Sequence, residues 1–269
     1  MCLLLLCLSC SPAIFAQQNS ATSPSALTPA QREIERQRQR LSSSDAEERR
    51  DAVMRLGWMK RPESSRVAAQ ALNDGSEIVR ATAASAVLSL PADEAAAILL
   101  PLLQDKKEFV RQEAAYALGQ TRSRNAVAAL VSALERDKLP SVRGAAAVAL
   151  GMIADESAAA ALTRTLDPSF NAPELANQKR RSKREDNVFV LRAVAVALGQ
   201  IRSRAGVPAL ISVMANERAD DDLRREAARA LGVIGDASAV PALRAVLTDS
   251  DPYLSRIAYE ALLKISPAG

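Results

Sequence analysis

Apolar residues in this chain recur three and four positions apart. In VRQEAAYALGQ (110–120) they are Val110, Ala114, Ala117 and Leu118. That spacing gathers them on one face of an α-helix. A second helical pattern follows at once, in Val127, Leu130, Val131 and Leu134, and the same order returns at Val207, Leu210, Ile211 and Met214. The alternation that marks strands is missing. The pattern therefore predicts pairs of short amphipathic helices joined by Gly-containing turns.

One phrase ends on Leu-Gly or its equivalent and recurs seven times. It reads RRDAVMRLG, VRATAASAVL, VRQEAAYALG, VRGAAAVALG, VLRAVAVALG, LRREAARALG and LSRIAYEALL. Its aligned second positions are Arg49, Arg80, Arg111, Arg143, Leu191, Arg224 and Ser255, so the intervals are 31, 31, 32, 48, 33 and 31 residues. A single helix pair cannot bury its own apolar faces; stacking on its neighbours does so. The chain is 48% hydrophobic but 3% aromatic, which leaves packing to Ala, Leu and Val. Small residues at the contacts let helix axes approach closely.

The phrase D-x5-R-x2-A-A-x2-L-G resembles the HEAT-repeat family, in the short bacterial form known as phycobilisome-lyase-like HEAT. The resemblance runs from residue 42 to residue 266. It implies an all-α, right-handed α-solenoid of about seven helix pairs over residues 42–269. It also implies that Asp74/Arg80, Asp105/Arg111 and Asp137/Arg143, together with Arg224, form a hydrogen-bonded ladder between repeats. Leu191 and Ser255 depart from the ladder, with Arg192 and Arg256 one place later.

The turns inside the pairs alternate in sign. They carry Lys60 and Arg61, then Asp93 and Glu94, Arg122 and Arg124, Asp155 and Glu156, Arg202 and Arg204, and finally Asp236. Neighbouring turns lie about one helix spacing apart, comparable to the ~8 Å screening length in physiological salt. Their arginines are thus expected to pair with neighbouring carboxylates. Trp58 is expected to pack on the N-terminal helix, which the pattern predicts over 30–41 with a start at Thr28 and Pro29. Residues 17–29 are polar and rich in Pro and Ser, as in a disordered tether. Small residues at Ala129, Ala161, Ala209 and Ala242 fit either a concave face or a seam between repeats.

Residues 1–16, MCLLLLCLSCSPAIFA, are too short an apolar run for the ~20 residues of a membrane-spanning helix. The run ends in small residues, as a signal peptide cleaved after Ala16 does, although no Lys or Arg precedes it. CLSC also resembles a bacterial lipoprotein box with Cys10 as the lipidated residue, which would anchor the chain to a membrane. Cys2, Cys7 and Cys10 are the three cysteines, and His is absent. Cleavage after Ala16 would leave no Cys or His for disulfides, for the usual zinc sites or for thiol and imidazole catalysis.

The 48-residue interval holds an insertion, placed at about 167–187. It carries Lys179, Arg180, Arg181, Lys183 and Arg184, with Phe170 and Leu175 upstream. Insertions in solenoids project from one face. This one fits either a basic finger for an acidic protein partner or a solvated loop. Net charge is +4 with a pI near 9.1, too weak an excess to imply nucleic acid, and stacking aromatics are scarce.

No nucleophile–base pair stands out; Asp221 and Asp222 lie in a charged run. The expectation is a monomeric, non-catalytic protein-interaction scaffold, exported to the periplasm or outside the cell, without metal or cofactor. The alternatives are a membrane-surface adaptor lipidated at Cys10, or a lyase or lyase-accessory enzyme of the resembled group.

Overall fold

A computed structural model describes residues 27–166 and 181–265, with the side chains of 181–186 left out. The expected signal peptide over residues 1–16, most of the expected tether and residues 167–180 of the insertion lie outside the described residues. No strand occurs among them.

The first helices of the seven repeats are α2 (Ala46–Trp58), α4 (Glu77–Ala86), α6 (Glu108–Thr121), α8 (Pro140–Ile153), α10 (Arg181–Ile201), α12 (Asp221–Ile234) and α14 (Pro252–Ile265). Each packs along the next. Between them run the second helices: α3 (Pro62–Ala68), α5 (Ala92–Leu99), α7 (Val127–Arg136), α9 (Ala159–Leu166), α11 (Val207–Ala215) and α13 (Val240–Ala245). The seventh repeat contributes its first helix within the described residues. The result is an α-solenoid, with a core running unbroken from Ile34 to Ala261. Its largest fully buried side chains are nearly all Leu, including Leu56, Leu118, Leu150, Leu198 and Leu231 of the Leu-Gly phrase.

The glycines of that phrase are not in the turns. Gly57, Gly119, Gly151, Gly199 and Gly232 sit inside the first helices, each against an alanine of the next repeat. A Cβ on Gly119 would stand 2.7 Å from Ala149 Cα, and one on Gly232 would stand 2.8 Å from Ala261 Cα. These are places where two helix backbones meet. The chain reverses three residues later, at Lys60, Arg122, Ala154, Arg202 and Gly235, all with φ between 49° and 75°. Four of those five are not glycine, although this left-handed region favours glycine.

Helix α1 (Pro29–Arg40) starts on a capping box: Gln31 N donates to Thr28 Oγ1 at 3.2 Å, and Thr28 N donates to Gln31 Oε1 at 2.8 Å. It lies on α2 and α3 and buries Ile34, covering the open end of the first repeat. Trp58 does not pack there. It is 69% exposed, because its register falls on the stripe of α2 that faces away from the stack. The insertion is also more ordered than a loop to 187 would be: α10 begins at Arg181.

Candidate interaction surface

The Asp-Arg phrase builds each repeat and ties it to the next. Asp105 Oδ1 accepts from Lys107 N at 2.8 Å, closing the turn before α6. Arg111 Nη1 donates back to Asp105 O at 2.9 Å, while Arg111 Nε donates forward to Asp137 Oδ2 at 2.7 Å. Arg80 does the same, to Asp74 O at 2.7 Å and to Asp105 Oδ2 at 2.8 Å. Arg49 reaches Asp74 at 2.7 Å, and Arg224 reaches Asp249 at 2.5 Å. Each pair therefore spans two repeats, and the Asp and Arg of one phrase are joined through a backbone carbonyl.

The Arg49 guanidinium hydrogen bond holds the Asp74 carboxyl below the ordinary carboxylate value. At Asp105 and Asp137 burial pushes the carboxyl up. The paired guanidinium, the turn N–H and the nearby positive charges together outweigh it, and both end lowered.

Two junctions differ. Arg143 donates to Asp137 O at 3.1 Å and, across the insertion, to Asn187 Oδ1 at 3.0 Å. Farther on, Leu191 occupies the guanidinium position and Asn216 the carboxylate position. Asn216 keeps the turn, accepting from Arg218 N at 3.0 Å, but no ladder ion pair crosses here among the described residues. Ser255 replaces the last arginine, and its single hydroxyl proton has the Val246, Asp249 and Asp251 carbonyls within reach at 3.2–3.4 Å.

The twin segments GQTRSRN and GQIRSRA are structural. Buried Ser123 and Ser203 donate backward to Asp93 Oδ1 at 2.6 Å and to Glu156 Oε1 at 2.7 Å. Arg124 and Arg204 reach forward to Asp155 at 3.1 Å and Asp236 at 3.5 Å. Of the turn cations, Arg124 and Arg204 thus pair along the stack, at ~0–1 kcal/mol for each exposed pair. Lys60, Arg61, Arg122 and Arg202 make no ion pair among the described residues, and Glu94 pairs with Arg66. Asp222 likewise meets Arg192 and Arg225. Ala129, Ala161, Ala209 and Ala242 pack toward the core and belong to the seam.

What remains is the solvent-facing stripe of the first helices. In the outer repeats it is mixed: Glu47 and Arg50 stand with exposed Trp58 on α2, Asp222 and Arg229 with Val233 on α12, and Arg256, Glu260 and Lys264 with exposed Tyr253 on α14. On α6, α8 and α10 apolar residues cluster, with Glu108, Gln120 and Gln200 exposed around them. Phe109 and Phe189 are 45% and 47% exposed at matching registers, Val196 is 38% exposed, and Tyr116, Val148 and Met152 are half-buried. The Phe189 ring lies in the notch left by Gly144, where a Cβ would meet it at 2.2 Å, so it bridges α8 and α10. Contiguous apolar surface on a soluble face marks interaction sites.

Within this patch stands one carboxylate, Glu113, a helical turn from Phe109 and from Tyr116. It is half-buried and makes no ion pair or hydrogen bond, and burial pushes its carboxyl pKa up. The sequence reading missed this patch. Its signal was the shared register of Phe109 and Phe189, two residues before the phrase's arginine position. Of the five insertion cations, Arg181, Lys183 and Arg184 fall in the opening turn of α10, whereas Lys179 and Arg180 lie outside the described residues. No described group of three or more His, Cys, Asp or Glu side chains could hold a metal ion.

Comparison with known proteins places these features. The HEAT repeats family profile matches residues 34–119, 99–176 and 207–268, and the PBS lyase HEAT-like repeat profile matches 190–216. Deoxyhypusine hydroxylase from Gallus gallus is 37% identical over 60 residues, 22% of this chain; the match spans 20% of that relative's length. Among solved structures, the complex of CpcE and CpcF of phycocyanin lyase from Nostoc sp. is similar at TM-score 0.50 and 24% identity, covering 94% of this chain and 92% of that one. Kap121p is similar at TM-score 0.53 and 14% identity, over 87% of this chain and 29% of its own. At these identities the structures share the fold alone. The helix pairs, their ladder and a profile match over most of the chain agree: this protein belongs to the HEAT-repeat family.

Proposed function

We propose that the protein is a non-catalytic scaffold that binds another protein, exported to the cell envelope or outside the cell. The observation that carries this reading is the exposed apolar face of α6, α8 and α10, set on a frame whose paired charges join neighbouring repeats. Although Phe189 also bridges α8 and α10, the exposed part of this face has a use in recognition. The phycocyanin lyase relative is itself a complex of two chains, CpcE and CpcF, in keeping with binding through this fold. Export is supported by the apolar segment 1–16 with its small-residue end.

Mild crosslinking in the native host, followed by purification of the mature chain, should yield a stoichiometric protein partner. Incubation with bilin and the apo subunits of phycocyanin should leave the subunits unmodified. Covalent chromophore attachment above the uncatalysed background would overturn the non-catalytic reading. Mass spectrometry of the mature N-terminus should find Gln17; a lipidated Cys10 would instead favour the membrane-surface adaptor.

A further inference from the structure

We propose that the apolar face of α6, α8 and α10 docks a helical segment of another protein, whose apolar stripe carries one Lys or Arg that pairs with Glu113. The inference rests on the scaffold reading and names the chemistry of its partner.

Size comes first. Three neighbouring first helices at 8–10 Å spacing span about 20 Å, the length of a helix of about 14 residues at 1.5 Å per residue. The face offers such a helix Phe109, Tyr116, Val148, Met152, Phe189 and Val196. Amphipathic helices lay their apolar stripes on surfaces of this kind.

Charge selects the occupant. Glu108, beside Phe109, is engaged by the Ser141 hydroxyl, whereas the desolvated Glu113 carboxylate has no partner in the free chain. A carboxylate already partly stripped of water gains more from an arriving cation than an exposed one does. Arg192, on α10 beyond α8, is engaged by Asp222 at 3.3 Å. A second copy of this chain fits poorly: a two-fold interface would set patch on patch, bringing two Glu113 carboxylates together with no cation between them. An anionic lipid surface fits poorly for the same reason.

The test uses the mature chain and two synthetic probes. One is a 14-residue amphipathic helical peptide with a single central Lys in its apolar stripe; the other has norleucine in place of that Lys. Fluorescence anisotropy should show the Lys peptide binding about 10-fold more tightly than the norleucine peptide, as expected for a charge-assisted contact. Glu113→Gln should erase that preference and also raise the melting temperature, since it removes a desolvated carboxylate. Val196→Asp, and separately Phe109→Ser at the other edge of the patch, should weaken the Lys peptide by at least ~10-fold with unchanged helicity.

Equal binding of the two peptides, or a Lys preference that survives Glu113→Gln, would overturn the role of Glu113. Sedimentation showing dimers that Val196→Asp dissolves would make a second copy the occupant and overturn the proposal. So would vesicle binding that depends on Val196 but not on Glu113. A crosslinked partner still captured at full strength by Val196→Asp and Phe109→Ser would leave the scaffold reading standing and refute this face. Absence of any partner, with the Lys peptide bound as expected, would fail the scaffold reading alone.

Discussion

Glycine closes the repeated phrase in five of the seven repeats, and its position invites reading it as the start of a turn. The helices run past it. At Gly119 the side-chain-free surface admits Ala149 of the next repeat, whereas the reversal is made at Arg122 with φ 55°. Substitutions at the two kinds of position should thus act in opposite directions. Gly119→Ala should destabilise: the new Cβ meets a backbone atom at 2.7 Å, and overpacking of ~1–3 kcal/mol exceeds the ~1 kcal/mol gained in helix propensity. Ala154→Gly should stabilise by up to ~1 kcal/mol, because a left-handed residue with a Cβ costs about that much. Urea midpoints of the two variants check both. Spacing alone does not separate these positions, since Gly serves close approach and left-handed turns alike.

Helix pairs were legible because apolar spacing and a 31-residue period are properties of the chain itself. The ladder was legible through the family resemblance that its Asp and Arg carry. The alternating signs pointed to the turn pairs of Arg124 and Arg204, but not to Lys60, Arg61, Arg122 and Arg202, which make no ion pair among the described residues. Three features were not. Trp58 is exposed although it is large and apolar, because register and not residue type decides which stripe meets solvent. Helix α10 reaches back to Arg181 through a charged stretch that carries no apolar period. The patch around Glu113 exists only when three helices stand side by side. The junction between α10 and α12 offers a test at this scale, since both ladder partners are replaced together, by Leu191 and Asn216. Leu191→Arg alone should lose stability, because Leu191 packs on the core, and Asn216→Asp alone should change little. The double variant should recover ~1 kcal/mol of favourable coupling in a double-mutant cycle. Additive effects would mean that the two positions are not a ladder pair.

For the whole molecule, the ladder makes stability depend on pH in a stated direction. Asp74, Asp105, Asp137 and Asp249 all have folded-state carboxyl values below their ordinary ones. Their contribution is therefore complete above the ordinary carboxylate range near pH 4 and is lost as pH falls through the lowered values. Melting temperature should be flat from about pH 8 to 5 and drop steeply below about pH 4. Glu113 acts the other way, because its raised value makes ionisation costly, so Glu113→Gln should gain most above that value. A melting curve that stays level down to about pH 2 would remove the ladder carboxylates as a source of stability.

The ladder also has a direction and two different ends. Each Arg–Asp rung runs from an arginine to the aspartate of the following repeat, so a stack of identical units would present a free acceptor at its start and a free donor at its finish. Here Ser43 stands where the first aspartate would, with Asp45 N donating to its hydroxyl at 3.2 Å. Ser255 stands where the last arginine would, with its hydroxyl turned onto its own loop. The first and last described repeats thus carry no ladder aspartate or arginine at these two positions. Head-to-tail joining through such a pair would be a heterologous contact, the kind that generates open filaments. Restoring the pair with Ser43→Asp and Ser255→Arg, and removing the cap formed by α1, should give a chain whose sedimentation coefficient rises with concentration, while either substitution without its counterpart leaves it unchanged.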